Sequence, residues 1–198
     1  RDAQESRGLG DVYKRQVFDS KLRDFAVERR GEGNLVGNIY RGRVSNVVPG
    51  IQAAFIDLNV GKNGFLTLHK QDRLTEGQML LVQVVKDCRG TKGPGVTRNV
   101  TLPGRYIVLE PFGNRISLSR KITCKSLRTR LRTLVQKSLP EGMGVVIRTA
   151  AAKAAAEEIE NDLRQLLASW QVLLRRSKVG RGPQLLYREL DLSIRMIR

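Results

Sequence analysis

The chain has 198 residues, enough for one medium domain or two small ones, and carries 36 Lys and Arg against 19 Asp and Glu, a formal charge of +17. Self-repulsion at that charge works against folding, so the excess points to a polyanionic partner: nucleic acid first, then membrane surfaces and acidic proteins. Two cysteines without a CxxC pair and a single histidine, His69, argue against structural zinc and a disulfide framework; with no apolar run of about 18 residues and no signal-peptide pattern, the expected location is the cytoplasm.

Residues 1–16, RDAQESRGLGDVYKRQ, are polar and without periodicity, and DVYKRQ resembles the translated end of a sequencing-library adapter. They are set aside as a tail foreign to the fold. Alternation at Phe25 and Val27 predicts a strand over 22–28, closed by a turn from Gly31 to Gly33. From 38 to 68 the pattern is β. NIYRGRVSNVV alternates Ile39, Arg41 and Arg43 against Tyr40, Gly42 and Val44; Pro49-Gly50 marks a turn; IQAAFIDL is a second strand; Gly61 centres the next turn; GFLTL is a third strand. LLVQVVKD, 80–87, is a fourth, after the Glu76-Gly77 turn. Short strands at this spacing predict a small barrel.

Residues 90–104 read as a Gly/Pro-punctuated crossing into the strand RYIVLEP. Arg115 to Lys137 then holds eight basic residues and no acidic one, and its later part places Leu127, Leu131 and Leu134 at helical spacing. A break at Leu139-Pro140-Glu141-Gly142 precedes the strand GVVIRTA. A helix over roughly 152–176 follows from Ile159, Leu163, Leu166, Leu167, Trp170, Leu173 and Leu174. Lys153 and Glu157 add an i,i+4 pair to it, and Gly180 to Pro183 ends it.

Three features bear on chemistry. Phe55 and Phe65 follow turns in consecutive strands and fit either of two places: side by side on one barrel face, where bases stack on such rings, or in the core, which spacing alone favours. Lys86, Arg89 and Lys92 fall on the next strand and loop, in reach of that face. Arg148-Thr149 ends a strand just before a helix, where N–H groups, a hydroxyl and a guanidinium can meet one phosphate; a solvent-exposed arginine is the plainer reading of two residues alone. The cation run of 115–137 exceeds what solubility needs and fits phosphate contact. Carboxylates do not cluster: Asp57, Asp72 and Asp87 are scattered and Glu157-Glu158 lies on a helix, so no catalytic residue and no metal ligand set is assigned.

At this point whole motifs, in order, resemble a known family. VGNIYRGRVSNVVPGIQAAFIDLNVGKNGFL, EGQMLLVQVVKDCRGTKGPGVT, LPGRYIVLEP, SRKI and LPEGMGVVIRTAA are similar to the opening of the ribonuclease E/G family, over residues 22–198. The resemblance implies an α+β fold: a ribonuclease-H-like subdomain starting at 17–36, interrupted by a five-stranded OB-fold barrel of the ribosomal S-one type at 37–98. An α/β 5′-sensor subdomain follows at 99–190, and YRELDLSIRMIR resembles the re-entry, with 191–198 its start. Phe55 and Phe65 match the family's RNA-stacking aromatics and Lys92 a barrel lysine on RNA. Arg148 and Thr149 match the pair that binds a 5′-monophosphate, Gly104 and Val108 match backbone positions lining that pocket, and Arg120 a supporting arginine. The magnesium ligands and a zinc-linking cysteine pair of the family lie beyond residue 198, so no cofactor is expected in this fragment.

Three departures accompany the resemblance. The segment between Leu68 and Glu76 is short, AAAKAAAEE is alanine-rich where glycine is common, and the first ribonuclease-H-like strand is replaced by the N-terminal tail, leaving LRDFAVE without a partner. The expected function is the RNA-binding and 5′-monophosphate-sensing part of a magnesium-dependent, single-strand-specific endoribonuclease, homo-oligomeric at full length and without a membrane span. The alternatives are a non-catalytic RNA-binding or ribosome-associated module and a scaffold for acidic proteins.

Overall fold

The computed structural model describes residues 11–18, 21–29, 35–88 and 90–189, the first two segments as backbone strands. β1 (Asp11–Phe18) and β2 (Lys21–Arg29) form an antiparallel pair of their own. This corrects the expectation that the 22–28 strand lacks a partner. The segment set aside as a tail supplies one, and Val12, Tyr13, Val17 and Phe18 are strand formers by type. Residues 1–10 of that tail and the proposed re-entry at 191–198 lie outside the described residues.

The barrel comprises β3 (Ile39–Val48), β4 (Ala53–Asp57), β5 (Gly64–Thr67), β6 (Met79–Lys86) and β7 (Gly95–Thr97). Its order is β3-β4-β5-β7-β6, and a β3–β6 pairing closes it. β5 and β7 run parallel and the other pairs antiparallel, so the barrel is five-stranded, mixed and OB-fold-like. Closure is possible because β3 is long. Its Ile39–Arg43 half pairs with β6 and its Arg43–Val48 half with β4. The period of two sends Tyr40 and Val44 inward with Ala54, Ile56, Leu66, Val82, Val84 and Val96. The fifth strand lies inside the stretch read as a crossing: it is three residues long and follows Pro94, too short for an alternation to register.

Beyond the barrel come β8 (Leu102–Pro103), β9 (Ile107–Glu110), β10 (Ile116–Leu118), α1 (Lys125–Gln136), β11 (Gly144–Ile147), α2 (Ala156–Lys178) and β12 (Gln184–Tyr187). Strands order as β10-β11-β9-β8. One face of this sheet, with Ile107, Leu109, Val145 and Ile147, is buried beneath Leu131 and Val135 of α1 and Ile159, Leu163, Leu166, Trp170 and Leu173 of α2. The helical periodicity thus places the apolar stripe of α2 correctly, but not its start. Thr149–Lys153 is a 3-10 turn, and Ala154 and Ala155 are extended before the helix begins. Lys153 and Glu157 therefore do not share a helix, which removes the expected i,i+4 pair. Alanine has no oxygen to cap with; Glu158 accepts from the Ala155 N–H instead, at 2.9 Å, and fixes the first turn there.

Two buried polar side chains join the barrel to the sheet-and-helix unit. Gln83 of β6 donates to the Gly37 and Thr101 carbonyls and accepts from the Thr101 N–H. Arg41 of β3 is 6% exposed and donates to the carbonyls of Ser177, Val179 and Gly182, where α2 ends. β12 then pairs with β3 on the side away from β6. Gly180, at φ +100°, leaves room for the guanidinium: a Cβ there would stand 2.6 Å from Arg41 Nη2. No helix of the described residues is long and apolar enough to cross a membrane.

Candidate nucleic-acid interface

Phe55 and Phe65 are direct cross-strand partners, with ring centroids 5.9 Å apart and planes at 76°. Neither is in the barrel core. Their neighbours Ala54, Ile56 and Leu66 take the inward positions, leaving Phe55 half-buried and Phe65 39% exposed on the outer face. The core reading that spacing favours is therefore corrected; ten residues of separation fix pairing but not face.

The register extends this pair into a row across the barrel: Asn46, Phe55, Phe65, Gly95, Lys86. Gly95 has no side chain to cover the flank of Phe65, and the stem of Lys86 runs past it. Lys86 is exposed at the end of the row. Lys92 is exposed in the loop between β6 and β7, and the Lys62 ammonium donates to the Gly90 carbonyl of that loop at 2.5 Å. Arg89 lies outside the described residues. Of the nearby carboxylates, Asp57 is paired with Arg43 at 3.1 Å and Asp87 accepts the Cys88 N–H at 2.9 Å. An exposed ring packed on a half-buried one, beside cations, makes a surface on which unstacked bases can lie while phosphates meet ammonium groups.

Arg148 and Thr149 sit at the far end of β11, both exposed. The Arg148 Nη1 donates to the Gly104 carbonyl at 2.7 Å, leaving its other donors directed to solvent. Thr149 Oγ1 and Ser119 Oγ share a hydrogen bond at 2.9 Å. Ser119 opens the turn that carries exposed Arg120 and Lys121, and Arg128 of α1 braces that turn by donating to the Ser119 and Ile122 carbonyls. Val108 stands in the adjoining strand opposite Val146, two residues before Arg148. The Gly104 N–H is taken up by the Ile107 carbonyl, so what Gly104 offers Arg148 is its oxygen.

Residues that sequence reasoning does not single out hold this end together. The Asp162 carboxylate accepts from the backbone N–H groups of Arg105, Tyr106 and Ile107, at 3.2, 2.8 and 3.0 Å. Gly104 is in close approach to it, since a Cβ would stand 2.6 Å from either Asp162 oxygen. One turn back, Glu158 accepts the Tyr106 hydroxyl at 3.0 Å. The Ala155 N–H and then that hydroxyl hold the Glu158 carboxyl below its ordinary value. Burial, and then the same hydrogen bond, raises the Tyr106 phenol. The only sequence signal for these residues is acids spaced i,i+4 at the start of a helix in a strongly basic chain.

The sequence that folds into this barrel, paired rings and sheet is similar to that of known proteins. Residues 101–198 match the model of the Ribonuclease E/G family. Relatives agree along most of the sequence: 41% identity to a protein named Ribonuclease E from Nostoc sp., over 82% of this chain. The chain belongs to the ribonuclease E/G family. Ribonuclease G of Escherichia coli strain K12 is 37% identical over 89% of the chain, and ribonuclease G of Haemophilus influenzae 34% identical over 92%. The chain spans 26%, 40% and 41% of the lengths of these three ribonuclease E/G relatives.

Proposed function

We propose that this member of the ribonuclease E/G family is the RNA-gripping part of an endoribonuclease, taking single-stranded RNA on its barrel and reading a 5′-monophosphate at Arg148 and Thr149. The outward-facing Phe55–Phe65 pair carries this reading. A barrel that needed only to fold would turn such rings inward, where each would bury apolar surface. Support also comes from α1, whose first turn holds Lys125 and no acid although cations are disfavoured at a helix N-terminus. A phosphate there would offset that cost.

At the 5′ pocket, Arg148 brings the free arms of a guanidinium and Thr149 a hydroxyl, with Arg120 and Lys121 beside them. These groups suit one phosphate; a triphosphate is bulkier and carries more charge than the pocket supplies donors for. RNA cleavage is proposed for the whole protein from what its relatives are named; a homo-oligomeric state is proposed from the resemblance to the family, and a cytoplasmic location from the absence of a signal-peptide pattern in the sequence. Among the described residues no three His, Cys, Asp or Glu side chains converge. Asp57 and Asp72 are engaged by Arg43 and Arg98. The residues described thus do not fit a magnesium site, and no hydrolytic step is derived from them. The magnesium ligands, and a zinc link if the protein has one, are proposed on the portion of its relatives that the chain does not span.

Binding of the chain to a short 5′-monophosphorylated RNA and to its 5′-hydroxyl twin, across a salt series, tests the reading. The phosphorylated RNA is expected to bind more tightly, and Arg148→Ala to abolish the difference while general affinity survives. Equal losses on both RNAs would remove the sensor assignment and leave only generic phosphate attraction.

A further inference from the structure

A groove of about 800 Å³ runs between the barrel and the sheet-and-helix unit. Its barrel wall begins at Thr67 and Thr97, each two residues along its strand from the paired Phe65 and Gly95. The groove is therefore continuous with the end of the aromatic row. Its other wall is Phe112, 59% exposed and edge-on to buried Trp170, with centroids 5.5 Å apart and planes at 90°. Phe112 also lines a second groove of about 290 Å³ with Asn99, Asn114 and Arg115.

The acids in these grooves are each balanced by an arginine, so no excess of negative charge opposes a polyanion on this +17 chain. Asp72 is answered by Arg98 at 3.0 Å. Glu110 and Arg115, the first residue of the eight-cation run, both line the smaller groove. His69 and the amides of Gln71 and Gln78 line the larger one, polar groups that can hydrogen-bond base edges. Phe112 and Met79 are the exposed apolar side chains of this lining; one ring and one thioether among amides and arginines fall short of the contiguous apolar patch a protein interface needs, and an exposed ring beside cations is the composition that grips unstacked bases. Trp170 also holds the ring in place, so little side-chain freedom is lost on stacking.

We propose that Phe112 is a third base-stacking platform, taking a nucleotide of single-stranded RNA after it leaves Phe65 by way of Thr67 and Thr97. It is separate from the 5′ pocket. Arg148 meets the sheet beside Tyr106, before β9 begins, whereas Phe112 follows the other end of β9 at Glu110. The inference rests on the reading that the barrel binds single-stranded RNA.

The test measures affinities of oligouridines of roughly four and roughly sixteen nucleotides for the full chain and for Phe112→Ala, Phe112→Tyr and Phe65→Ala, with thermal midpoints as the folding check. Phe112→Ala is expected to weaken the long RNA about fivefold or more and the short one little. Phe112→Tyr should restore the loss, and Phe65→Ala should weaken both lengths. Undiminished affinity of Phe112→Ala for the long RNA overturns the proposal and turns the ring toward a protein contact. An equal loss on both lengths, or a loss that Tyr does not rescue, also overturns it. Were Phe65→Ala without effect as well, the underlying RNA reading would fail with it.

Discussion

Glu158 and Asp162, one helical turn apart, do for the 104–107 turn what a metal or a disulfide does elsewhere: they collect its backbone donors and its phenol onto one helix face. Because Arg148 leans on the carbonyl of Gly104, the position of a guanidinium on the surface depends on carboxylates it never touches. The Glu158 carboxyl is held below its ordinary value of 4.5, so the linkage has a definite sign. Its stabilising contribution is complete above that value and is lost as pH falls through the lowered one. Replacing it, Glu158→Gln, is expected to lower the thermal midpoint at neutral pH, with the gap to the unaltered chain narrowing in acid below 4.5. A gap that stays constant with pH would show that the charge is not what matters. None of this is legible in the chain. An Asp in the second turn of a helix reads as solvated, and its partners lie 55 to 57 residues away.

At the scale of elements, strand alternation and helical periodicity identify β3 to β6, α1 and the stripe of α2, because each buries one face over enough residues to leave a pattern. Elements of two or three residues, such as β7 and β8, leave none; they exist because a neighbouring strand edge needs a partner. The candidate site divides the same way. The types and positions of Phe55, Phe65 and Arg148 are visible, but whether the rings face in or out is settled only by the register. Arg41 shows the other limit, a cation that alternation would send either way. The structure buries it on three carbonyls in and just past the last turn of α2, with no acid among the described residues paired to it. Arg41→Lys is expected to destabilise the chain by roughly 1–3 kcal/mol in chemical denaturation, since one ammonium cannot span all three oxygens. A change within a few tenths would mean that the guanidinium fork is dispensable.

For the whole molecule the governing quantity is the charge of +17. Its distribution separates two contributions to RNA affinity that salt can tell apart. Ammonium groups along the path release counterions, while ring stacking does not. Lys86→Gln is expected to lower the slope of log affinity against log salt by about 0.7, and Phe55→Ala to weaken binding at every salt concentration with the slope unchanged. A slope unaltered in Lys86→Gln would place that lysine off the RNA path.

α2 is gripped at both ends, by the 104–107 turn at its start and by a barrel strand at its finish. At 23 residues it is about 34 Å long. A strut pinned at both ends acts as a gauge. On the proposed function, an RNA with its first phosphate at Arg148 and a base on Phe65 would bridge a span that the protein sets and the RNA cannot adjust, and the number of nucleotides between those two points would become a quantity the molecule measures.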